Sequence, residues 1–423
     1  MPDHWRNWAG DQRCAPERIE RPRTEEELAG IVAGAGRVKV AGSGHSFTDI
    51  ACTDGVMLDL SRLDRVLGVD GELATVEAGI TIRKLGPALA KHGLALENQG
   101  DVDPQTITGA TSTATHGTGA RFGNLSSRVE GVRLVTANDG VVEVREGDEL
   151  LAARVGLGAL GVLSAVTLRC VPAFRIHRIS EPRPLDDALA RLDQDVDAND
   201  HFELFVFPYT RIALTLTSER TERQPERGSV FDGILPEGLL DNAGLELACR
   251  TGRRFPDLIP RINRALVSTM SRSEELDESH LVYAHSRTVR FTEMEYVLLR
   301  DHTTAAVERV LALVERRRLP VGFPIEVRVT APDDALLSTA QGRPTGYVAV
   351  HQYRGMEYES YFRAVEAIMD QYDGRPHWGK RHYQSAATLS PRYPGWERFL
   401  AVRERFDPDR KFQNDYLHRV LGS

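Results

Sequence analysis

Two segments of the chain combine residue types that hold anions with residue types that react. The run Val38-Lys39-Val40-Ala41-Gly42-Ser43-Gly44-His45-Ser46-Phe47 reads as a β-strand that empties into a glycine turn carrying one histidine. Three apolar positions with one lysine suit a partly buried strand, and Gly42 and Gly44 supply the backbone freedom that a tight anion-binding turn needs. Successive amides in such a turn can converge on a phosphate. Gly-rich strand ends are common, so the turn alone does not establish a phosphate site. The second segment, Gly109-Ala110-Thr111-Ser112-Thr113-Ala114-Thr115-His116-Gly117-Thr118-Gly119, holds almost no core-forming side chains. It builds a surface that another backbone or a ligand can approach closely.

Further along, Ile325-Glu326-Val327-Arg328-Val329 places two opposite charges at i and i+2. On a strand these stand side by side while the apolar residues face the other way. Taken alone, Glu-x-Arg reads as a solvated edge strand. His351, in a strand-like run from Gly346 to Arg354, reads alone as a structural histidine. One motif is rejected: Gly156-Leu157-Gly158-Ala159-Leu160-Gly161 satisfies G-x-G-x-x-G, which in a nicotinamide enzyme follows a strand and opens a helix. Here Asp148 to Val155 reads as the helix and Val162 to Val171 as the strand, so the order is reversed.

Together with Arg375-Pro376-His377-Trp378-Gly379-Lys380 and Phe406-Asp407-Pro408 to Phe412-Gln413-Asn414, these segments resemble, in order, the flavoprotein oxidoreductases of the vanillyl-alcohol oxidase type, in the aldonolactone oxidase and alditol oxidase branch. The resemblance is weakest between about 175 and 320. It implies an α+β flavoprotein of two domains: an FAD-binding domain over residues 1–175, and a mixed-sheet substrate or cap domain over 176–423 whose last segment, from about 375, returns to the flavin. It implies FAD held by Ala41, Gly42, Ser43, Gly44 and Ser46, with His45 bonded covalently to the 8α-methyl. Further cofactor contacts are implied at Thr106, Gly109, Thr113, Ala114, Thr115, His116, Val166 (through its backbone) and His377.

Catalysis is implied at Glu326, Arg328, Lys380 and His351. Hydride leaves an alcohol C–H for flavin N5 only if the hydroxyl proton leaves too, so such a site wants an acceptor for the hydroxyl and fixed cations near the reduced ring. Arg328 is a permanent cation, and Lys380 is expected to be the tunable group, its pKa lowered by burial beside another cation. Asp101 stands where alditol oxidases carry a substrate-contacting serine, and Tyr353 where they carry a threonine that touches a linear polyol. That departure, with the Arg375 to Trp378 context, favours a sugar-derived lactone such as L-gulono-1,4-lactone over a polyol such as xylitol or sorbitol. Gly100 is either a turn residue or an open path for oxygen to the ring, which implies an oxidase releasing hydrogen peroxide; a dehydrogenase with another acceptor is the alternative. A flavin- or sugar-binding protein without turnover is disfavoured by the intact Glu326, Arg328 and Lys380 set.

Composition agrees. At 423 residues two domains are the default, and 41% hydrophobic with 27% charged residues describes a soluble globular chain. A formal net charge of -8 argues against a nucleic-acid partner. No stretch of 18 apolar residues exists and the start, Met1-Pro2-Asp3-His4-Trp5, has no signal-peptide core, so a cytoplasmic protein with no membrane partner is expected. Cys14, Cys52, Cys170 and Cys249 lack metal-ligand spacing, and no metal is expected. The elements that must position the candidate residues are short strands and helices up to about 175, among them a Thr24-capped helix to Ala35, with Glu27 completing a helix-start signature. Beyond it come longer strands and helices, for example Val206 to Leu216 and Thr303 to Arg318, with Ser218 to Pro236 as an exposed loop.

Overall fold

The computed structural model describes residues 4–138, 140–224, 242–284 and 288–423. Near the start, the strands Arg18–Glu20, Val56–Leu58 and Val38–Val40 pair in parallel, in that order, beside the helix Glu25–Gly34. Thr24 caps that helix by accepting from the Glu27 amide at 3.1 Å, as its sequence predicts, but the Glu27 carboxylate accepts from Arg23 rather than from Thr24. Leu28 and Val32 bury one face against Val38, Val56 and Leu58.

An antiparallel five-stranded sheet follows, ordered Val141–Val144, Val129–Val135, Val162–Arg169, Leu73–Glu77, Val66–Asp70. The helix Gly147–Arg154 precedes the Gly156 to Gly161 turn and the strand Val162–Arg169 follows it, so the helix-turn-strand order stands.

From Arg175 the chain builds an antiparallel eight-stranded sheet, ordered Ser273–Glu278, Arg175–Pro184, Ile212–Thr221, His201–Val206, Ile325–Thr330, Thr345–Tyr353, Phe291–Leu299, Arg375–Pro376. Its two faces are chemically distinct because side chains alternate along each strand. Phe202, Leu204, Met294, Tyr296, Ile325, Val327, Val348 and Val350 point to a core capped by helices Thr303–Arg317 and Glu359–Met369. Their alternating neighbours, among them Glu203, Glu293, Glu295, Glu326, Arg328 and His351, lie on the opposite face.

The final segment packs Trp378, Tyr393, Trp396, Phe399, Phe406 and Tyr416 into the same core as Val76, Ile107 and Val166 of the N-terminal part. Two expectations are corrected. Val206 to Leu216 is not one strand: Pro208 lacks an amide donor and Tyr209 adopts φ 65, so the chain turns between His201–Val206 and Ile212–Thr221. Ser218 to Thr221 belong to that second strand rather than to a loop, and residues 225–236 of the expected loop lie outside the described residues.

Candidate active site

Gly42, Ser43, Gly44, His45 and Ser46 line a groove of about 130 Å³ whose far wall is Thr106, Gly109 and Thr113, with Gly158 and Gly161 closing one side. The close approach is real at Gly42, where a Cβ would lie 2.6 Å from the Thr106 hydroxyl oxygen. Gly44 takes φ +69, a left-handed conformation that favours glycine. A groove walled by backbone and hydroxyls fits a dinucleotide such as FAD, whose pyrophosphate needs amides at short range. His45 stacks on Trp8 with ring centroids 5.3 Å apart; burial, then the nearby Lys380, pushes its pKa down to about 4, so the imidazole is neutral at pH 7. Lys39, at the groove floor, is buried with its ammonium donating to the Gly158 and Phe412 carbonyls at 3.2 Å, and burial lowers its pKa to about 7.

Two backbone links fix the groove against the eight-stranded sheet. Gly119 donates to the Val329 carbonyl at 2.9 Å, and Phe47 donates to the Gly379 carbonyl at 2.7 Å. The first seats the second glycine segment beside Glu326 and Arg328; the second seats the His45 turn beside His377 and Lys380.

Between groove and sheet lies a polar pocket of about 60 Å³, which includes Asp101, Gln105, Thr115, His116, Glu326, Arg328, His351, His377 and Lys380 in its wall. Glu326 and Arg328 are joined by an ion pair of 2.6 Å, and the same guanidinium Nη2 meets Glu203 at 2.5 Å and Asp101 at 3.6 Å. Burial opposes the charge on Arg328, but the three carboxylates raise its pKa well above the ordinary value. Lys380 pairs with Glu293 at 2.5 Å, and Glu295 pairs with His116 at 2.8 Å. Burial pushes Glu293 up, yet Lys380 and His351 hold it down to about 2. Glu295 is likewise held far below the carboxylate range by His116. His377 accepts from the Gly379 amide at 3.0 Å and is kept neutral by burial, its pKa about 4.

A second cavity, of about 230 Å³, adjoins this pocket and shares Asp101, Phe291 and Arg328 with it. Its walls are largely aliphatic and aromatic.

The profile of the D-arabinono-1,4-lactone oxidase family matches residues 166–420, and that of an FAD binding domain matches residues 16–145. The chain belongs to the D-arabinono-1,4-lactone oxidase family. As a member it is an FAD-dependent oxidoreductase. It is 59% identical over 99% of both chains to a Mycobacterium tuberculosis protein named L-gulono-1,4-lactone dehydrogenase. It is 34% identical to L-gulonolactone oxidase of Bos taurus, covering 99% of this chain and 98% of that one, and 32% identical to alditol oxidase of a Streptomyces species, covering 98% of each. A solvent-stable cholesterol oxidase shares the fold, with a TM-score of 0.84 at 20% identity over 100% of this chain and 98% of that one. Among the described residues no helix is long and apolar enough to cross a membrane.

Against this family's frame, several expected residues sit elsewhere or behave otherwise. Lys380 is not a lysine of lowered pKa: burial does lower it, but Glu293 and Glu295 outweigh that and raise it, leaving a fixed cation. Tyr353 does not line the polar pocket; its hydroxyl donates to Glu246 at 2.8 Å, and its ring lies under Arg253 of the helix Asn242–Arg254. Val166 does not reach the groove, because it is flanked by Val76 and Val132 in the interior of the five-stranded sheet; Gly161 and Leu163 line the groove instead. Ala41 lies buried behind the turn, its amide on the Leu58 carbonyl, and Ala114 is buried at φ 59 behind Thr113. A Cβ on Gly100 would meet the His116 carbonyl oxygen at 2.9 Å, so backbone packing alone demands glycine there.

Sequence reasoning missed Glu203, Glu293, Glu295 and Lys39. Glu293-Met294-Glu295-Tyr296 carries the same i, i+2 pattern as Glu326 and Arg328, and that alternation was the available signal. Among the described residues, His116, Glu295 and His377 place donor atoms within 4.8 Å of one another, as a metal site would. His116 bonds Glu295 at 2.8 Å, and the Gly379 amide donates to His377 Nδ1 at 3.0 Å.

Proposed function

We propose that the protein oxidises a secondary alcohol of a sugar-derived lactone, L-gulono-1,4-lactone or a related aldonolactone, with the polar pocket as its active site. The observation that carries this is the Arg328 guanidinium set among Glu326, Glu203 and Asp101 on the wall of a small polar pocket beside the flavin groove. Residues 1–175 hold the cofactor in this reading, 176–423 form the cap, and the segment from about 375 returns to the flavin. Bound FAD supplies the acceptor for the hydride that leaves the carbinol carbon.

The chain's own residues do the rest. Asp101 and Glu326 accept hydrogen bonds from the substrate hydroxyls, and the reacting hydroxyl passes its proton to a Glu326 carboxylate oxygen as the C–H bond breaks and the carbonyl forms. Arg328 and Lys380 stay charged throughout and stabilise the negative charge left behind. His351, which approaches Glu293 at 3.6 Å, orients the Glu293 carboxylate that holds Lys380. Anaerobic incubation with aldonolactones and alditols, watching flavin bleaching, tests the reading. Rapid bleaching by alditols with none by any lactone would sink it.

His45 is the point of covalent FAD attachment in this proposal, its neutral imidazole being the nucleophilic form. Flavin that separates completely from acid-denatured protein overturns the covalent link. Oxygen as acceptor, with hydrogen peroxide released, is supported by the oxidase names of the 34% and 32% identical relatives, since packing against the His116 carbonyl by itself accounts for glycine at 100. The dehydrogenase name of the 59% identical relative favours a second reading in which another acceptor takes the electrons. Mixing reduced enzyme with aerated buffer decides between them: reoxidation over many minutes, with turnover restored by a dye, marks a dehydrogenase.

A further inference from the structure

The larger cavity beside Arg328 is poorly suited to a sugar lactone. Phe205, Phe207, Leu214, Leu216, Leu266 and Phe323 contribute to its walls, and a ligand with a hydroxyl on nearly every carbon would leave those hydroxyls unpaired there. Most of the polar groups that border it are already engaged, Gln99 Nε2 being a buried one without a partner. His201 bonds the Thr118 carbonyl at 2.8 Å and the Tyr283 hydroxyl at 2.9 Å, Arg178 donates to Ser218 at 3.2 Å, and Glu203 is taken by Arg328. Ordered water needs two to four polar partners, so a largely aliphatic and aromatic cavity whose rim leaves little beyond Gln99 Nε2 unengaged favours an apolar occupant.

The cavity is also not separate from the chemistry. Asp101, Phe291 and Arg328 line it and the polar pocket alike. The junction therefore places a polar anchor, the Arg328 cluster, at the mouth of an apolar chamber of about 230 Å³, nearly four times the size of the polar pocket at about 60 Å³. The strand order explains the split: on one face of one sheet, His201–Val206 and Ile212–Thr221 turn Phe205, Leu214 and Leu216 toward the chamber, while Ile325–Thr330 and Phe291–Leu299 turn charges toward the pocket.

We propose that this chamber is a subsite for the apolar tail of an alcohol whose hydroxyl end is held at Arg328, so that amphiphilic alcohols belong to the substrate range. The inference rests on the polar pocket being the active site, as proposed above, and the bond changes are those of the same reaction.

Tertiary alcohols of the 2-methyl-2-alkanol series test it, because they lack the C–H that would leave as hydride and so bind without turnover. Calorimetric titration of the holoenzyme should show the dissociation constant falling about four-fold for each added methylene until the chamber is full. The same alcohols should compete with the lactone in anaerobic flavin reduction. Leu214→Trp, filling the chamber across the strand from Phe205, should abolish the chain-length dependence while the lactone still bleaches the flavin. A dissociation constant independent of chain length in the unaltered enzyme overturns the subsite, whether or not Leu214→Trp folds. If the long alcohols bind best but no lactone bleaches the flavin, the lactone reading falls and the subsite stands.

Discussion

The proposed flavin groove and the charged strip on the eight-stranded sheet are joined by the Gly119 to Val329 and Phe47 to Gly379 backbone links, and they are built from opposite materials. The groove is mostly glycines, hydroxyls, apolar side chains and one neutral histidine, with Lys39 at its floor and, among the described residues, no carboxylate in its wall. The strip is side chain: Glu203, Glu326, Glu293 and Glu295 on neighbouring strands, offset by Arg328 and Lys380. A cofactor with a pyrophosphate is held by many short amide contacts rather than by carboxylates. A substrate that must lose a hydride and a proton needs fixed charges at chosen places, and these tolerate burial only when paired. The division of labour predicts that damage to the strip shows in the rate, and damage to the groove in cofactor content.

The largest effect is expected at Arg328. Arg328→Met leaves the Glu203 and Glu326 carboxylates buried beside Asp101 without their cation, which costs about 3–5 kcal/mol of stability. Thermal unfolding should register that loss, and anaerobic stopped-flow should find flavin reduction slowed beyond a hundred-fold; near-normal reduction would break the assignment of chemistry to the strip. Lys380→Ala comes next, with reduction slowed roughly a hundred- to thousand-fold, the about 2.7–4 kcal/mol of a lost charge stabiliser at a dry site, and flavin content retained. Equal loss of flavin and rate would erase the contrast.

Gly42→Val should do the reverse. The added side chain meets the Thr106 hydroxyl, closing the groove from its turn side. Purified protein should carry well under half the flavin of the parent by absorbance, while molecules that retain flavin are reduced at near-parental rates.

The smallest effect sharpens the electrostatic half. Glu293 titrates at about 2 in the folded chain against an ordinary 4.5, so its contribution to stability is fully present above 4.5 and is lost as pH falls through about 2. Lys380 is raised above its ordinary 10.5, so its contribution is present below 10.5 and is lost only as pH rises through the still higher folded value. The pair is charged across the whole window between, and flavin reduction should show no titration of Lys380 near neutral pH. Acid unfolding curves of Glu293→Gln should lack the part of the slope between 4.5 and 2 that the parent shows.

Much of this was legible in the chain itself. The glycine turn, the hydroxylated second segment and the reversed helix-turn-strand order around Gly158 are local properties, set by which residues tolerate which dihedrals. The side-by-side placement of Glu326 and Arg328 follows from strand periodicity alone. What periodicity could not supply is the identity of the neighbours. Lys380 looked like a lysine beside a cation because Arg328 was the charge in view; Glu293 and Glu295, on a strand some 90 residues earlier, reverse the direction of its pKa shift. Tyr353 lay in the right strand, yet Glu246 on a helix over that strand's end claims its hydroxyl.

The sequence by itself determined the local geometry: where backbone is exposed for a cofactor, where strands alternate and where they must turn. Only the tertiary structure decided which charges meet, that the polar pocket opens onto an apolar chamber, and that Gly100 is held to glycine by a carbonyl from another segment. The physical reason is range. Dihedral preferences and side-chain alternation act within a few residues, whereas the field at a buried charge and the shape of a cavity are set by groups brought together from distant parts of the chain.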